Sequence, residues 1–346
     1  MLLVGAAVCL GSGCSTAGYY GQALSGHIDL MQRARPAAEL LTDPRTEAKL
    51  REQLQRSQQM REFAVQQLGL PDNPSYRRYA DLGRDAVVWN VVAAPELSLK
   101  LKTWCFPVLG CVGYRGYFDR AEADALAAQL KAEGWEVSVY GVPAYSTLGW
   151  SNWVGGDPLL NTFIQWPEGE LARLIFHELS HQVAYADNDT TFNESFATAV
   201  ERLGGARWLA QHGSPQARDT YAALESRRQD FRALAARYRV ELQAVYGGAG
   251  SDADKRSAKA DLMAALRVDH DTLKRERWGG FAGYDAWFAR ANNPALGVQA
   301  AYNELVPDFE RLFVQSGSNF ARFYAEVKVL AALPKDERRA RLRAIP

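Results

Sequence analysis

The chain lacks a net charge. Its 346 residues carry 40 Lys plus Arg against 40 Asp plus Glu, and its pI is near 7.0. No field of one sign is present to steer it to a phosphate backbone, so no nucleic-acid partner is expected. The basic run Arg338-Arg339-Ala340-Arg341 reads as a solvated helix end. Cysteine is scarce, at four residues, and Cys105 and Cys111 have no histidine or further cysteine near them to complete a zinc site. Internal repeats and long disordered linkers are absent. No apolar run approaches the roughly 20 residues a membrane-spanning helix needs. A hydrophobic share of 47% is ordinary for a folded protein, and this length can bury a substantial core as one large domain or two.

Histidine is almost as rare, with five residues, yet two of them stand in His177-Glu178-Leu179-Ser180-His181. This is H-E-x-x-H within a helical pattern. Four residues are a little over one turn, so both imidazoles leave the same helix face. Two neutral imidazoles on one face can grip a zinc ion, and Glu178 beside them can serve as general base on its water. Trp166-Pro167-Glu168 supplies a helix start, and Leu171, Leu174, Ile175, Leu179 and Val183 recur at helical spacing. Two histidines in so apolar a helix need partners for their ring nitrogens, and a metal gives one to each. Residues 160–165, just upstream, read as a short strand.

A catalytic zinc needs a third protein ligand and one open position. Glu194, in Asn193-Glu194-Ser195-Phe196-Ala197, is the candidate, on a second helix that runs to Leu203 and is stopped by Gly204-Gly205. The polar segment Asp187-Asn188-Asp189-Thr190 lets the chain double back between the two helices. Glu201, seven residues on, is the alternative ligand or a group behind the ligands.

His177-Glu178-x-x-His181 followed by Asn193-Glu194-x-Phe196-Ala197 resembles the gluzincin metallopeptidases, with a shorter gap than the thermolysin-like and large aminopeptidase families have. A closer resemblance covers most of the chain, to bacterial lipoproteins classed as predicted aminopeptidases. Its segments include Leu68-Gly69-Leu70-Pro71, Val88-Trp89-Asn90-Val91, Trp104-Cys105-Phe106-Pro107 and the run from Gly141 to Trp150. The resemblance implies one Zn2+ held by His177, His181 and Glu194, Glu178 as catalytic base, and a peptide substrate. The G-x-M-E-N segment with which large zinc aminopeptidases hold a substrate's free amino group is missing. An ammonium in a dry site needs a carboxylate or carbonyl partner, and Asp157, Glu168 and Glu201 are candidates.

The N-terminus carries an address. Residues 1–10 are almost wholly apolar and lead through Gly11-Ser12-Gly13 to Cys14-Ser15, which resembles a lipoprotein signal (1–14) ending at a lipidated Cys14. It departs from that pattern in having no basic residue at its start and a glycine three residues before the cysteine. The expected location is the bacterial cell envelope, lipid-anchored at the outer membrane and facing the periplasm. An exported location permits a Cys105–Cys111 disulfide, with two buried thiols as the alternative.

The expected fold is α+β and predominantly helical, with a small β-sheet beside the zinc helix and a long C-terminal antiparallel helix pair. The metallopeptidase domain spans 15–346, as a core over 15–205 and a helical lobe over 206–346. A helix is expected over 46–68, strands over 87–93, 114–118 and 135–140, and a helix over 120–133. The pair is expected over 215–245 and 252–277, hinged at 247–251. A donor for the tetrahedral oxyanion is sought in Tyr302, with His270 and Tyr145 behind it. Residues 144–148 have strand character, so Tyr145, Ser146 and Thr147 are the expected substrate-binding residues, pairing with an extended peptide. The rival readings are an envelope endopeptidase and a non-catalytic zinc-binding lipoprotein acting as a scaffold.

Overall fold

The computed structural model describes residues 2–106, 110–144, 146, 147, 149, 152–301 and 304–345, without the side chains of 2–17, 154, 300 and 301. The chain opens with α1 (Leu2–Arg33), β1 (Arg35–Pro36), α2 (Ala37–Thr42) and α3 (Ala48–Gln66). α3 is the helix expected over 46–68. Gly69 stops it by turning left-handed at φ +64, which lets the amides of Gly69 and Leu70 close onto the carbonyls of Val65 and Ala64. The strands β2 (Arg78–Ala80), β3 (Val88–Pro95), β4 (Trp104–Phe106), β5 (Gly110–Val112) and β6 (Arg115–Tyr117) follow, then α4 (Arg120–Ala132) and β7 (Trp135–Val142).

The sheet expected from sequence is antiparallel, in the order β6-β3-β7, with Val91 opposite both Arg115 and Val139. Period-two alternation puts Val91, Ala93 and Val137 on one face, where they pack against Ala123, Ala127 and Leu130 of α4. β7 stands last in that order. β4 and β5 form a separate hairpin in which Cys105 lies opposite Cys111 and is joined to it by a disulfide. β8 (Leu159–Leu160) pairs in parallel with β2. The strand expected over 160–165 ends at Leu160, because the next residues curl: the amides of Phe163 and Ile164 return to the Leu160 carbonyl.

The rest is helical: α5 (Glu168–Ser180), α6 (Thr190–His212), α7 (Pro215–Gly247), α8 (Asp252–Glu276), α9 (Asp285–Ala289), α10 (Asn293–Ala301), α11 (Val306–Gln315), α12 (Phe320–Ala331) and α13 (Lys335–Arg343). The fold is thus predominantly helical α+β. α7 and α8 are the expected antiparallel pair. Ser251 and Asp254 cap the start of α8 reciprocally, and Trp278 and Arg277 at its far end reach Asp230.

Two expectations are corrected here. Gly204-Gly205 does not stop α6, which runs on to His212. The glycines let α6 approach α5 closely: a Cβ at Gly204 would lie 2.7 Å from Leu68 Cδ1 and 3.0 Å from Phe176 Cδ2, and one at Gly205 would lie 2.9 Å from Arg173 Cγ. Nor is the basic run near the C-terminus solvated throughout. Arg338 is buried and pairs at 2.9 Å with Asp189, whose other oxygen takes Arg339 at 2.6 Å. Asp189 caps α6 by accepting from the Phe192 amide, and its carboxylate is wholly buried, so it needs those cations.

The main core joins α3, α5 and α6 to α11, α12 and α13. Phe309 lies 5.0 Å from Phe192 and 5.7 Å from Phe196, ring centre to ring centre, and Phe196 lies 5.8 Å from Phe323. Each fully buried ring is worth roughly 1.5–3 kcal/mol. These rings fix the α5–α6 pair from behind, leaving its other face for chemistry. A second core, around Phe231, Leu266, Trp278 and Phe288, holds the α7–α8 pair together.

Candidate metal centre

Helix α5 begins after Pro167 (φ −51), with Glu168 and Glu170 at its positive end. Leu171, Ile175, Phe176 and Leu179 are fully buried and fix its rotation. His177 is thereby held half-buried, and His181, at the helix end, is buried. Asn188 then turns left-handed (φ +58), and α6 starts back alongside α5. Asn193 ties off the turn by exchanging two hydrogen bonds with the backbone of Ala186. Glu194 is the next residue.

The three predicted donors converge. His177 Nε2 lies 3.3 Å from His181 Nε2 and 3.3 Å from Glu194 Oε2, and His181 Nε2 lies 3.8 Å from the same oxygen. Ligands about 2.0–2.1 Å from a tetrahedral ion stand about 3.3 Å from one another. The spacing fits such an ion. This His-His-Glu group can bind a metal.

The electrostatics agree. Burial lowers His181 to about 4, so its ring is neutral at physiological pH and keeps a lone pair for coordination. Burial opposes charge on His177 as well, yet its bonds to Glu194 and Glu201 raise it well above the usual histidine range. Against burial, the two imidazoles hold Glu194 below the usual carboxylate range, so it is ionised. Without a metal, the proton on His177 is the positive charge these carboxylates call for, and a metal ion at Nε2 would take its place.

Behind the ligands lies a chain of charges, buried at Arg173 and half-buried elsewhere. His177 Nδ1 bonds Glu201 Oε2 at 2.9 Å, which fixes the ring and leaves Nε2 for the metal. Glu201 pairs with Arg173, and Arg173 Nη1 bonds Glu225 of α7 at 2.6 Å. Glu225 also pairs with Arg228, which reaches Glu170. Glu201 therefore stands behind His177 and outside the donor group. The sequence left that choice open.

Glu178 is half-buried beside the donors. Burial, with the negative charges of Glu194, Asp157 and Glu201 against the pull of His177, raises its carboxyl to about 7. Three tyrosines that the sequence did not single out lie within electrostatic reach of Glu194, and burial together with its charge raises each phenol: Tyr114, Tyr140 and Tyr185. Tyr114 follows the disulfide hairpin, whose Cys111 amide donates to Asn188 Oδ1 at 3.0 Å, in the turn between α5 and α6.

Tyr145 and Tyr302 lie outside the described residues. Ser146 and Thr147 bond Asp157: Thr147 through its amide at 3.0 Å and its hydroxyl at 2.8 Å, Ser146 through its hydroxyl at 3.5 Å. Among the described residues of 144–148 none is in a strand, because Asp157 has taken the Thr147 amide that a strand would use. Asp157 continues to Ser75, and Gln182, next to His181, donates to the Ser75 hydroxyl at 3.3 Å, so this segment is tied to the end of α5. His270 packs on Phe288 at 4.1 Å in the second core, with Trp278 and Asp285 as neighbours, none of them in the donor group.

The sequence profile of the family described as "Putative aminopeptidase" matches residues 18–342, nearly the whole chain. The chain belongs to this family. The family's name indicates a peptidase, a hydrolase of peptide bonds. The match spans α5 and α6, the disulfide hairpin and the α7–α8 pair. No curated protein and no solved structure matches the chain.

Proposed function

We propose that the protein is a zinc-dependent aminopeptidase of the bacterial cell envelope, held at the outer membrane by a lipid on Cys14 and facing the periplasm. The observation that carries the reading is the convergence of His177, His181 and Glu194 beside a half-buried carboxylate. The zinc, held by those three donors, supplies a Lewis acid for the scissile carbonyl and for water. Glu178 accepts the proton of the attacking water and passes it to the leaving amine; a carboxyl raised toward neutrality suits both transfers. Glu201 keeps His177 in the orientation that offers Nε2.

The oxyanion needs a hydrogen-bond donor besides the metal. Tyr140 bonds Asn90 and Tyr185 bonds Asn193. Tyr114, which makes no such bond among the described residues, is the donor this reading favours. An extended peptide would lie along β7, the edge of its sheet, where Tyr140 also borders a cavity of about 290 Å³ lined by Val139, Trp287 and Val298. That cavity has room for a substrate side chain.

An endopeptidase is the second reading, and one observation favours it. All three carboxylates considered for a substrate's amino group have protein partners: Glu201 holds His177 and Arg173, Glu168 accepts from Trp208 Nε1 at 2.9 Å, and Asp157 holds Thr147. Paired peptides, free and acetylated at the N-terminus, separate the two when products are read by mass spectrometry. Stepwise loss of residues from the free peptide alone is the expected result. Internal cuts in both peptides would make the enzyme an endopeptidase, and no cleavage of either would leave a zinc-binding scaffold protein.

A further inference from the structure

Helix α1 docks by one face and leaves the other open. On the docked face, Gln22 accepts from the Phe118 amide at 3.0 Å and Tyr19 packs on Tyr117 at 5.5 Å, with Arg115 over the Tyr19 ring at 4.1 Å. Gly26 permits this approach, since a Cβ there would overlap the Phe118 ring. These contacts fix the rotation of the helix. Its outer face then presents Tyr20, Leu24 and Ile28, which are 43%, 62% and 45% exposed. Spaced by four, they form one stripe, about 12 Å long at 1.5 Å per residue.

Single exposed apolar residues are ordinary, but three in register on one helix are a surface. Two observations identify what covers it. The stripe begins six residues after Cys14, the position read as lipidated, and no Asp, Glu, Lys or Arg occurs between Cys14 and Asp29. The first charged pair, Asp29 with Arg33, stands where the stripe ends. A long uncharged face with tyrosine at one end and charge at the other suits the headgroup boundary of a bilayer.

We propose that the outer face of α1 is a membrane-contact surface, with Tyr20, Leu24 and Ile28 seated in the interfacial region of a lipid bilayer. The proposal rests on the envelope location argued above and adds a second attachment to it. The lipid on Cys14 would bring this face to the bilayer, and the stripe adds a contact of its own. Cys14 precedes Tyr20 by six residues, about 9 Å along the helix, so lipid and stripe could meet one bilayer with α1 lying along it. Because the face carries no charge, binding should be indifferent to anionic lipid and to salt.

The test uses the processed chain starting at residue 14 with Cys14→Ser, which carries neither the signal segment nor a lipid, and co-sedimentation with phosphatidylcholine vesicles. The paired change Leu24→Glu/Ile28→Glu should lower vesicle partitioning at least tenfold without changing the melting temperature. Val240→Glu, at a 70% exposed position on α7, should change nothing. Equal binding by the paired variant, or no binding by its parent, overturns the proposal. So does a dimer in vesicle-free solution that the paired change dissolves, since a second copy would then cover the face. The envelope reading fails separately, if the unaltered chain taken from membranes carries no lipid by mass spectrometry.

Discussion

Glu178→Gln should lower peptide turnover by about 10³-fold, within the 10²–10⁴ that general-base catalysis contributes, while metal content stays unchanged. Glutamine keeps the shape and half-buried place of Glu178 but cannot take a proton. Glu178 is not among the converging donors, so the metal should remain. The pH profile carries an independent signature. Burial and the carboxylates around it raise Glu178 to about 7 before any metal charge is counted, and a dication nearby would draw it down. A base works when deprotonated, so activity should fall as the pH drops through the pKa of Glu178. The residual activity of the Gln variant should lack that acid limb. Stopped peptide assays between pH 4 and 9, with metal content measured on the same samples, check both.

Arg173→Met should destabilise the fold by about 3–5 kcal/mol and weaken metal binding as well. Arg173 is buried between Glu201 and Glu225, with Glu170 close by. Removing it leaves carboxylates in the interior without their cation, and methionine fills the space without replacing the charge. The sign with pH follows from Glu201. Against the cost of burial, Arg173 and His177 hold that carboxyl at about 2, below its usual 4.5. Its contribution to stability is therefore present above pH 4.5 and lost as pH falls toward 2. The variant lacks most of that contribution, so its deficit should be largest at neutral pH and shrink in acid. Urea unfolding at pH 7 and pH 4 measures the difference. A loss below 1 kcal/mol at pH 7 would show that the charge chain does not hold α5 and α6 together.

Much of this centre was legible because its geometry is local. His177 and His181 share a helix face through spacing alone, and Glu194 lies a short turn and the start of a helix away. The α7–α8 pair and the β6-β3-β7 strands were legible for the same reason, since each shows its period within a few residues. What sequence missed is held by distant partners. Arg173 and Glu225 are 52 positions apart, and Arg338 and Asp189 are 149 apart. No local pattern signals such pairs, so Arg338 looked like a surface charge. Gly204-Gly205 misled because glycine both stops helices and admits close packing, and only the neighbouring helix shows which applies. Tyr114 gave no signal beyond being a tyrosine, because its place follows from a disulfide hairpin that is tied to the turn before α6.

Metal content measured with turnover tests the central claim most directly. Purified wild-type protein and Glu194→Ala should be compared by elemental analysis and by peptide cleavage, before and after chelation. The prediction is one zinc per chain in the wild type, loss of cleavage on chelation, recovery on zinc return, and neither metal nor activity in the variant. Cleavage that survives complete removal of metal, or a Glu194→Ala protein that keeps its zinc and its activity, would contradict it.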